Sequence, residues 1–241
     1  MRSLLLLISL LILSTSSCWF EDDDDDQNCL VGVGPEVTEE LPVSDFKEIE
    51  LTLPAQVFLT QGPEFSVTVT GRANIINNLN LNVINDRWEI APRDCVSDLG
   101  NMQFFITLPE LEALEITGPG DFISENTFVV GDLDIDLTGT GRVNLDLEAD
   151  DITIENSGTA DVNLSGTADE LEYRLTGTGD LSAFDLQLRE AFIRLTGTGD
   201  VEVLVSDQLT VQIVGTGIVS YRGNPNRDVS ITGTGSVIDA N

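Results

Sequence analysis

The sequence predicts an all-β protein, a right-handed parallel β-helix (β-solenoid) with coils of about 18–21 residues, preceded by a strand-rich N-terminal segment. Three observations predict it. First, one short phrase returns through the carboxy-terminal half: Thr117-Gly118-Pro119-Gly120, Thr138-Gly139-Thr140-Gly141, Ser157-Gly158-Thr159-Ala160 and Thr176-Gly177-Thr178-Gly179, then Thr196-Gly197-Thr198-Gly199, Val214-Gly215-Thr216-Gly217 and Thr232-Gly233-Thr234-Gly235. The first glycines of successive copies lie 18 to 21 residues apart, and a fixed period of this kind marks a stacked repeat. Second, apolar residues alternate between the phrases, as in Leu133-Asp134-Ile135-Asp136-Leu137 and Val201-Glu202-Val203-Leu204-Val205. Alternation puts them on one face of a strand. Third, no stretch carries long helical periodicity, and each unit is too short for a helix pair.

Two or three strands with their turns fill one coil, and the seven phrases stacked ~4.8 Å apart span ~30 Å. The phrase is expected at a corner between sheets, where glycine's tolerance of positive φ is useful. The Thr between the glycines is expected to stack coil on coil into a hydroxyl ladder. A phosphate-cradling loop is the other reading of the glycines, but no Lys follows any copy and no helix pattern opens after it. Asp follows the phrase at Asp121, Asp161, Asp180 and Asp200, while Arg142, Ile218 and Ser236 interrupt the series. A continuous acid ladder repels itself without a cation, so the interruptions read as dispersed charge. The neighbouring Asp180 and Asp200 are the candidates for a shared Ca²⁺; no other cofactor is implied.

The chain opens with Met1-Arg2, a run from Leu4 to Leu13 that is apolar except for Ser9, and Ser14-Thr15-Ser16-Ser17-Cys18. Residues 1–17 read as a secretory signal, with an apolar core too short to span a bilayer. Small residues before Cys18 resemble the lipobox of bacterial lipoproteins, whose Cys becomes the lipidated first residue; Thr15 stands where that pattern usually has Leu. The alternative is an ordinary signal peptide cut nearby. Trp19 and Phe20 would then lie at the membrane interface. Glu21 and the unbroken run Asp22 to Asp26 repel one another and stay solvated, so residues 18–40 read as a disordered acidic tether. An acidic run just after the Cys resembles the surface-export signal of Bacteroidota lipoproteins. That implies an exported outer-membrane lipoprotein, exposed at the cell surface.

Residues 41–117 carry the strand-rich segment and residues 118–241 the repeats, read as one continuous domain. Gln56-Val57-Phe58-Leu59-Thr60 and Phe65-Ser66-Val67-Thr68-Val69-Thr70 alternate around the turn Gln61-Gly62-Pro63-Glu64. Asn74 to Leu79 suits a short helical turn, and Asn85-Asp86 a hairpin between Leu81–Ile84 and Arg87–Ile90. Trp88, Phe104, Phe105, Phe122 and Phe128 are expected in the core of this segment. Tyr173, Phe184, Phe192 and Tyr221 belong to the solenoid, packed inside or facing outward where they would stack on sugar rings.

The order Phe46…Ile49, Val57-Phe58-Leu59-Thr60-Gln61-Gly62, Val67-Thr68-Val69-Thr70-Gly71, then Leu108-Pro109-Glu110-Leu111 leading to Ile116-Thr117-Gly118-Pro119-Gly120-Asp121, resembles the opening of the DUF2807 family. With the Gly-Thr-Gly-Asp repeats behind it, the resemblance covers about Val43 to the last residue. The domain it resembles is described as an auto-transporter adhesin head, or GIN, domain. The resemblance implies a secreted β-helical domain and carries over no catalytic or binding residue.

The formal charge is −31, with one Lys (Lys47) and no His. Such a surface repels nucleic acid and anionic lipid and suits divalent cations, basic proteins or simple solubility. Once Cys18 is assigned to lipid, Cys29 and Cys95 remain, and outside the cytosol they can pair or stay as free thiols. Without His there is no Ser-His-Asp or Cys-His nucleophile and no conventional zinc site. Among 42 acidic residues some carboxylates always sit close, so carboxylate pairs say little. The few arginines (Arg142, Arg174, Arg189, Arg194, Arg222) are sparse for gripping an acidic polysaccharide. The expected function is a non-enzymatic, adhesin-like binding module anchored to the membrane by its lipid, holding an extracellular or envelope ligand, glycan or protein, along a sheet face. The alternatives are a periplasm-facing structural lipoprotein of the envelope and a carbohydrate-active β-helix.

Overall fold

The computed structural model describes residues 29–241. The expected signal segment, Cys18, Trp19, Phe20 and the acidic run lie outside the described residues. The described chain is all-β, a solenoid of about seven turns.

Four long strands show how a coil is made: Arg142–Asn156, Asp161–Leu175, Leu181–Leu195 and Asp200–Ile213. The first part of each pairs on one face of the solenoid and the last part on another, so each strand turns a corner partway along. Face I stacks Arg87–Ile90, Glu48–Leu51, Ala113–Ile116 and Asp132–Leu137, then the last parts of the long strands, then Asn226–Ile231. Face II stacks Gln103–Leu108, Gln56–Gln61 and Asp121–Ser124, then the first parts of the long strands, then Ile218–Arg222 and Ser236–Asp239. Every pairing in both stacks is parallel.

Strict alternation turns every second residue inward, where like stacks on like. One inner column reads Leu51, Ile116, Leu137, Asn156, Leu175, Leu195, Ile213. Its polar member, Asn156, is buried but satisfied: Nδ2 donates to the Ala160 carbonyl at 2.7 Å and Oδ1 accepts from the Gly158 N–H at 3.1 Å. The next column holds Ile135, Ile154, Tyr173, Ile193 and Val211. Burial pushes the Tyr173 phenol well above its ordinary pKa.

The phrases lie at the corner from face I to face II, but for a different reason than the one expected. Only Gly233 among their glycines has a positive φ, 144°. Close approach is what demands glycine. A methyl at Gly141 would lie 1.6 Å from the Gly120 carbonyl oxygen, at Gly177 1.8 Å from that of Gly158, and at Gly197 1.9 Å from that of Gly177. The same positions recur at Gly139 over Gly118, Gly158 over Gly139, Gly179 over Ala160, Gly199 over Gly179, Gly215 over Gly197, Gly217 over Gly199, and Gly235 over Gly217. The central Thr residues stack, but through the backbone: Thr159 N–H donates to Gly139 at 3.0 Å and Thr178 N–H to Gly158 at 3.1 Å. Their side chains face solvent.

Two boundaries move. The tether does not run to residue 40, because Glu36–Glu40 pairs antiparallel with Ser66–Arg72, and Leu30–Val31 pairs with Val96–Asp98. Charge at Glu36, Glu39 and Glu40 suits an edge strand as well as a tether. Residues 117 and 118 do not separate two structural parts, since Glu48–Leu51 and Gln56–Gln61 are themselves rungs in register with Ala113–Ile116 and Asp121–Ser124. A disulfide joins Cys29 to Cys95, with Cα atoms 4.7 Å apart. The hairpin turns at Asn85 (φ 53°) and Asp86 (φ 60°), and the helical turn is Ala73–Ile76.

Trp88, Phe104, Phe122 and Phe128 fill the core, with Tyr173 and Tyr221. Phe105 does not: it is 37% exposed. Neighbours in a strand point to opposite sides, so burying Phe104 puts Phe105 outside. Phe184 and Phe192 are half-buried.

Candidate functional site

Parallel stacking aligns outward side chains into columns as strictly as inward ones. The main outward column of face I reads Glu89, Glu50, Glu115, Asp136, Glu155, Arg174, Arg194. Five successive carboxylates thus stand one rung apart. Arg87, in the neighbouring column, pairs with two of them, Glu115 through Nη1 at 2.5 Å and Glu50 at 3.9 Å, and through Nε with Glu48 of its own column at 2.9 Å. Burial, then the charges of Glu115 and Glu89, still raise the pKa of Glu50. Asp136 is raised by burial and then by Glu155, Glu115 and Asp134. Arg174 is engaged by Glu172 through Nε at 2.7 Å. A groove of about 460 Å³ follows this column, with Thr138, Ser157, Thr176 and Thr196 along its side.

Face II differs. Between Glu40 at one end and Glu202 at the other, its central outward column reads Thr68, Phe105, Phe58, Ile123, Asn144, Asn163, Ser182, without a charge. At its start the flanking outward residues are uncharged too: Ser66 and Thr70, Thr107 and Gln103, Thr60 and Gln56. Phe58 and Phe105 stack at 5.1 Å with ring planes 11° apart. Gln103 Nε2 donates to Gln56 Oε1 at 3.2 Å, and Asn163 Nδ2 to Asn144 Oδ1 at 2.7 Å. The column runs into a groove of about 560 Å³ whose floor carries Asn144, Asn163 and Ser182 and whose sides carry Asp146, Asp185, Glu202 and Arg222, the last lying 4.0 Å over the Phe184 ring.

The structure brings Asp180 and Asp200 together as part of the corner: the Asp200 N–H donates to Asp180 Oδ1 at 2.8 Å. Asp161 receives the Asp180 N–H, and Asp121 the Arg142 N–H, in the same way. These carboxylates cap the backbone of the next coil. Calcium takes about six to eight oxygen ligands, and among the described residues no three acids converge as metal ligands, so the pair does not fit that ion. Cys18 lies outside the described residues. Both outward columns escaped the sequence reading although each keeps a fixed offset from the phrase. Glu115, Asp136, Glu155, Arg174 and Arg194 all stand two residues before it, and Ile123, Asn144, Asn163, Ser182 and Glu202 three residues after it.

Among the solved structures that resemble this one is a "putative adhesin" from Bacteroides fragilis, with a TM-score of 0.81 at 24% identity over 87% of this chain and 99% of that one. Another "putative adhesin", from Parabacteroides merdae, gives 0.74 at 20% identity over 88% and 99%. A "putative lipid binding protein" from Parabacteroides distasonis gives 0.70 at 20% over 87% and 98%. At these identities the likeness concerns the fold. No curated protein matches the sequence. Residues 45–225 match the family described as "Putative auto-transporter adhesin, head GIN domain". That match spans most of the solenoid and both outward columns, and the chain belongs to the DUF2807 family.

Proposed function

We propose that this chain is an exported, lipid-anchored surface protein whose solenoid is a non-enzymatic, adhesin-like binding head. The observation that carries the reading is membership of an adhesin-head family over residues 45–225, joined to a sequence start in which small residues precede Cys18 and an acidic run follows it. The solenoid suits the task because its outer faces are rigid. Outward side chains are fixed by the same register that packs the core, so a ligand pays little to order them. No helix among the described residues is long and apolar enough to cross a membrane.

Protease treatment of intact cells tests the address, with a periplasmic protein as control. The head is cleaved while the control survives. Protection until the outer membrane is opened would make it an envelope-facing lipoprotein. Cys18→Ala should move the protein from the membrane fraction to the soluble one; retention in the pellet would remove the anchor.

A further inference from the structure

The geometry points to the uncharged column of face II as the binding face, and to a neutral, hydroxyl-rich chain, an uncharged glycan, as its ligand. The inference rests on the adhesin reading above and names the class of ligand it would hold. Charge distribution carries it. In a chain of formal charge −31, seven consecutive rungs place no charge in one outward column, from Thr68 to Ser182. The equivalent column on face I places a carboxylate on five consecutive rungs. Solubility and repulsion between copies favour acids on any exposed rung, so they do not account for a column that lacks them.

The residue types in that column select the ligand. Amides and hydroxyls both donate and accept, as sugar hydroxyls do. The Asn163–Asn144 bond uses one donor of Asn163 and one acceptor of Asn144, leaving Asn144 Nδ2 to donate and Asn163 Oδ1 to accept. Phe105, Phe58 and Ile123 form an apolar ridge. The Phe rings face one another and show their edges outward, so the ridge meets C–H surface of a ligand rather than offering a flat stacking platform. An anionic polymer meets Asp146, Asp185 and Glu202 along the groove against the single cation Arg222. A cationic partner finds its charges on face I instead.

Affinity electrophoresis of the detergent-solubilised full-length protein tests this. Native gels would contain dextran, mannan or xyloglucan, with polygalacturonate and chondroitin sulfate as anionic counterparts. At least one neutral polymer is expected to retard the protein and neither anionic one. Phe105→Ala and Ser182→Glu should each weaken that retardation about tenfold, roughly the loss of one well-made contact. Asp136→Asn on face I should leave it unchanged. Both face II sites are exposed and Glu already occupies the next rung at Glu202, so Ser182→Glu gives a folded control even if Phe105→Ala loosens the Phe pair. No retardation by any neutral polymer, retardation by the anionic polymers alone, or retardation that survives both variants overturns the inference. None of these results touches the surface-display reading, which fails only in the protease experiment.

Discussion

Faces I and II of the solenoid share one backbone plan and carry opposite chemistry. Inside, both are mostly Leu, Ile and Val, varied by Asn156 and Tyr173 on face I and by Phe104 and Phe122 on face II. Outside, face I stacks Glu89, Glu50, Glu115, Asp136 and Glu155, while face II stacks Phe105, Phe58, Ile123, Asn144 and Asn163. A parallel stack places like beside like on every rung, so it amplifies whatever a column carries. On face I it amplifies repulsion and on face II neutral contact. Core packing sets which residues point out but not what they are.

The comparison breaks most completely at the corner that joins the faces. Gly141→Ala puts a methyl 1.6 Å from the Gly120 carbonyl oxygen, which is backbone and cannot turn aside. Forcing the coils apart strains both faces at once. The expected loss is about 4 kcal/mol or more, in the range of the severest single substitutions, read by urea denaturation or as failure to fold. Gly131→Ala is the control: nothing lies within 4 Å of its added methyl, and it should be nearly neutral. A Gly141→Ala chain as stable as the parent would mean that the coils do not touch there.

Smaller effects separate the faces. Phe105→Ala leaves Phe58 without its stacked partner and should cost about 1 kcal/mol, measured as a shift in the denaturation midpoint. A loss several-fold larger would mean that Phe105 supports the core, not only an outer ridge.

What the sequence made legible follows from the range of each cause. Alternation and period show in the sequence itself, so the β-solenoid, the inward face of each strand and the Asn85-Asp86 hairpin are legible directly. The need for glycine at Gly141 arises from Gly120, a whole coil away, and no local rule exposes it. Phe104-Phe105 reads as two core residues on apolarity alone, but a strand turns only one of two neighbours inward. Glu36–Glu40 read as tether because charge suggested solvent, whereas the edge of Ser66–Arg72 accepts a charged strand. The outward columns needed only the fixed offset from each phrase, but an offset has no meaning until coil register is known.

Acidity gives the finest test of face I. Glu50 and Asp136 have folded pKa values raised above their ordinary ones. The folded state therefore holds those protons more tightly than the unfolded chain. Their contribution is fully present below the unfolded pKa and is lost as pH rises through the folded one, so stability should climb as pH falls from neutrality toward the carboxylate range. Asp239 works the other way. Hydrogen bonds from the Asn241 backbone and side chain, then from Tyr221, lower its pKa, and its contribution disappears only as pH falls through that depressed value. A maximum in melting temperature on the mildly acidic side of neutrality is the expected result. Asp136→Asn keeps the shape and removes one charge from the stack, so it should raise stability at pH 7 by about 0.5 kcal/mol, the scale of one like-charge cross-strand pair. It should also flatten the climb toward acid, and added salt should shrink its advantage. Asn163→Asp on face II should shift stability at pH 7 in the opposite direction, since it adds a second carboxylate beside Asp161 on the same outward side of the strand. If both substitutions moved stability the same way, the two faces would not differ electrostatically, and the neutral column would lose its distinction.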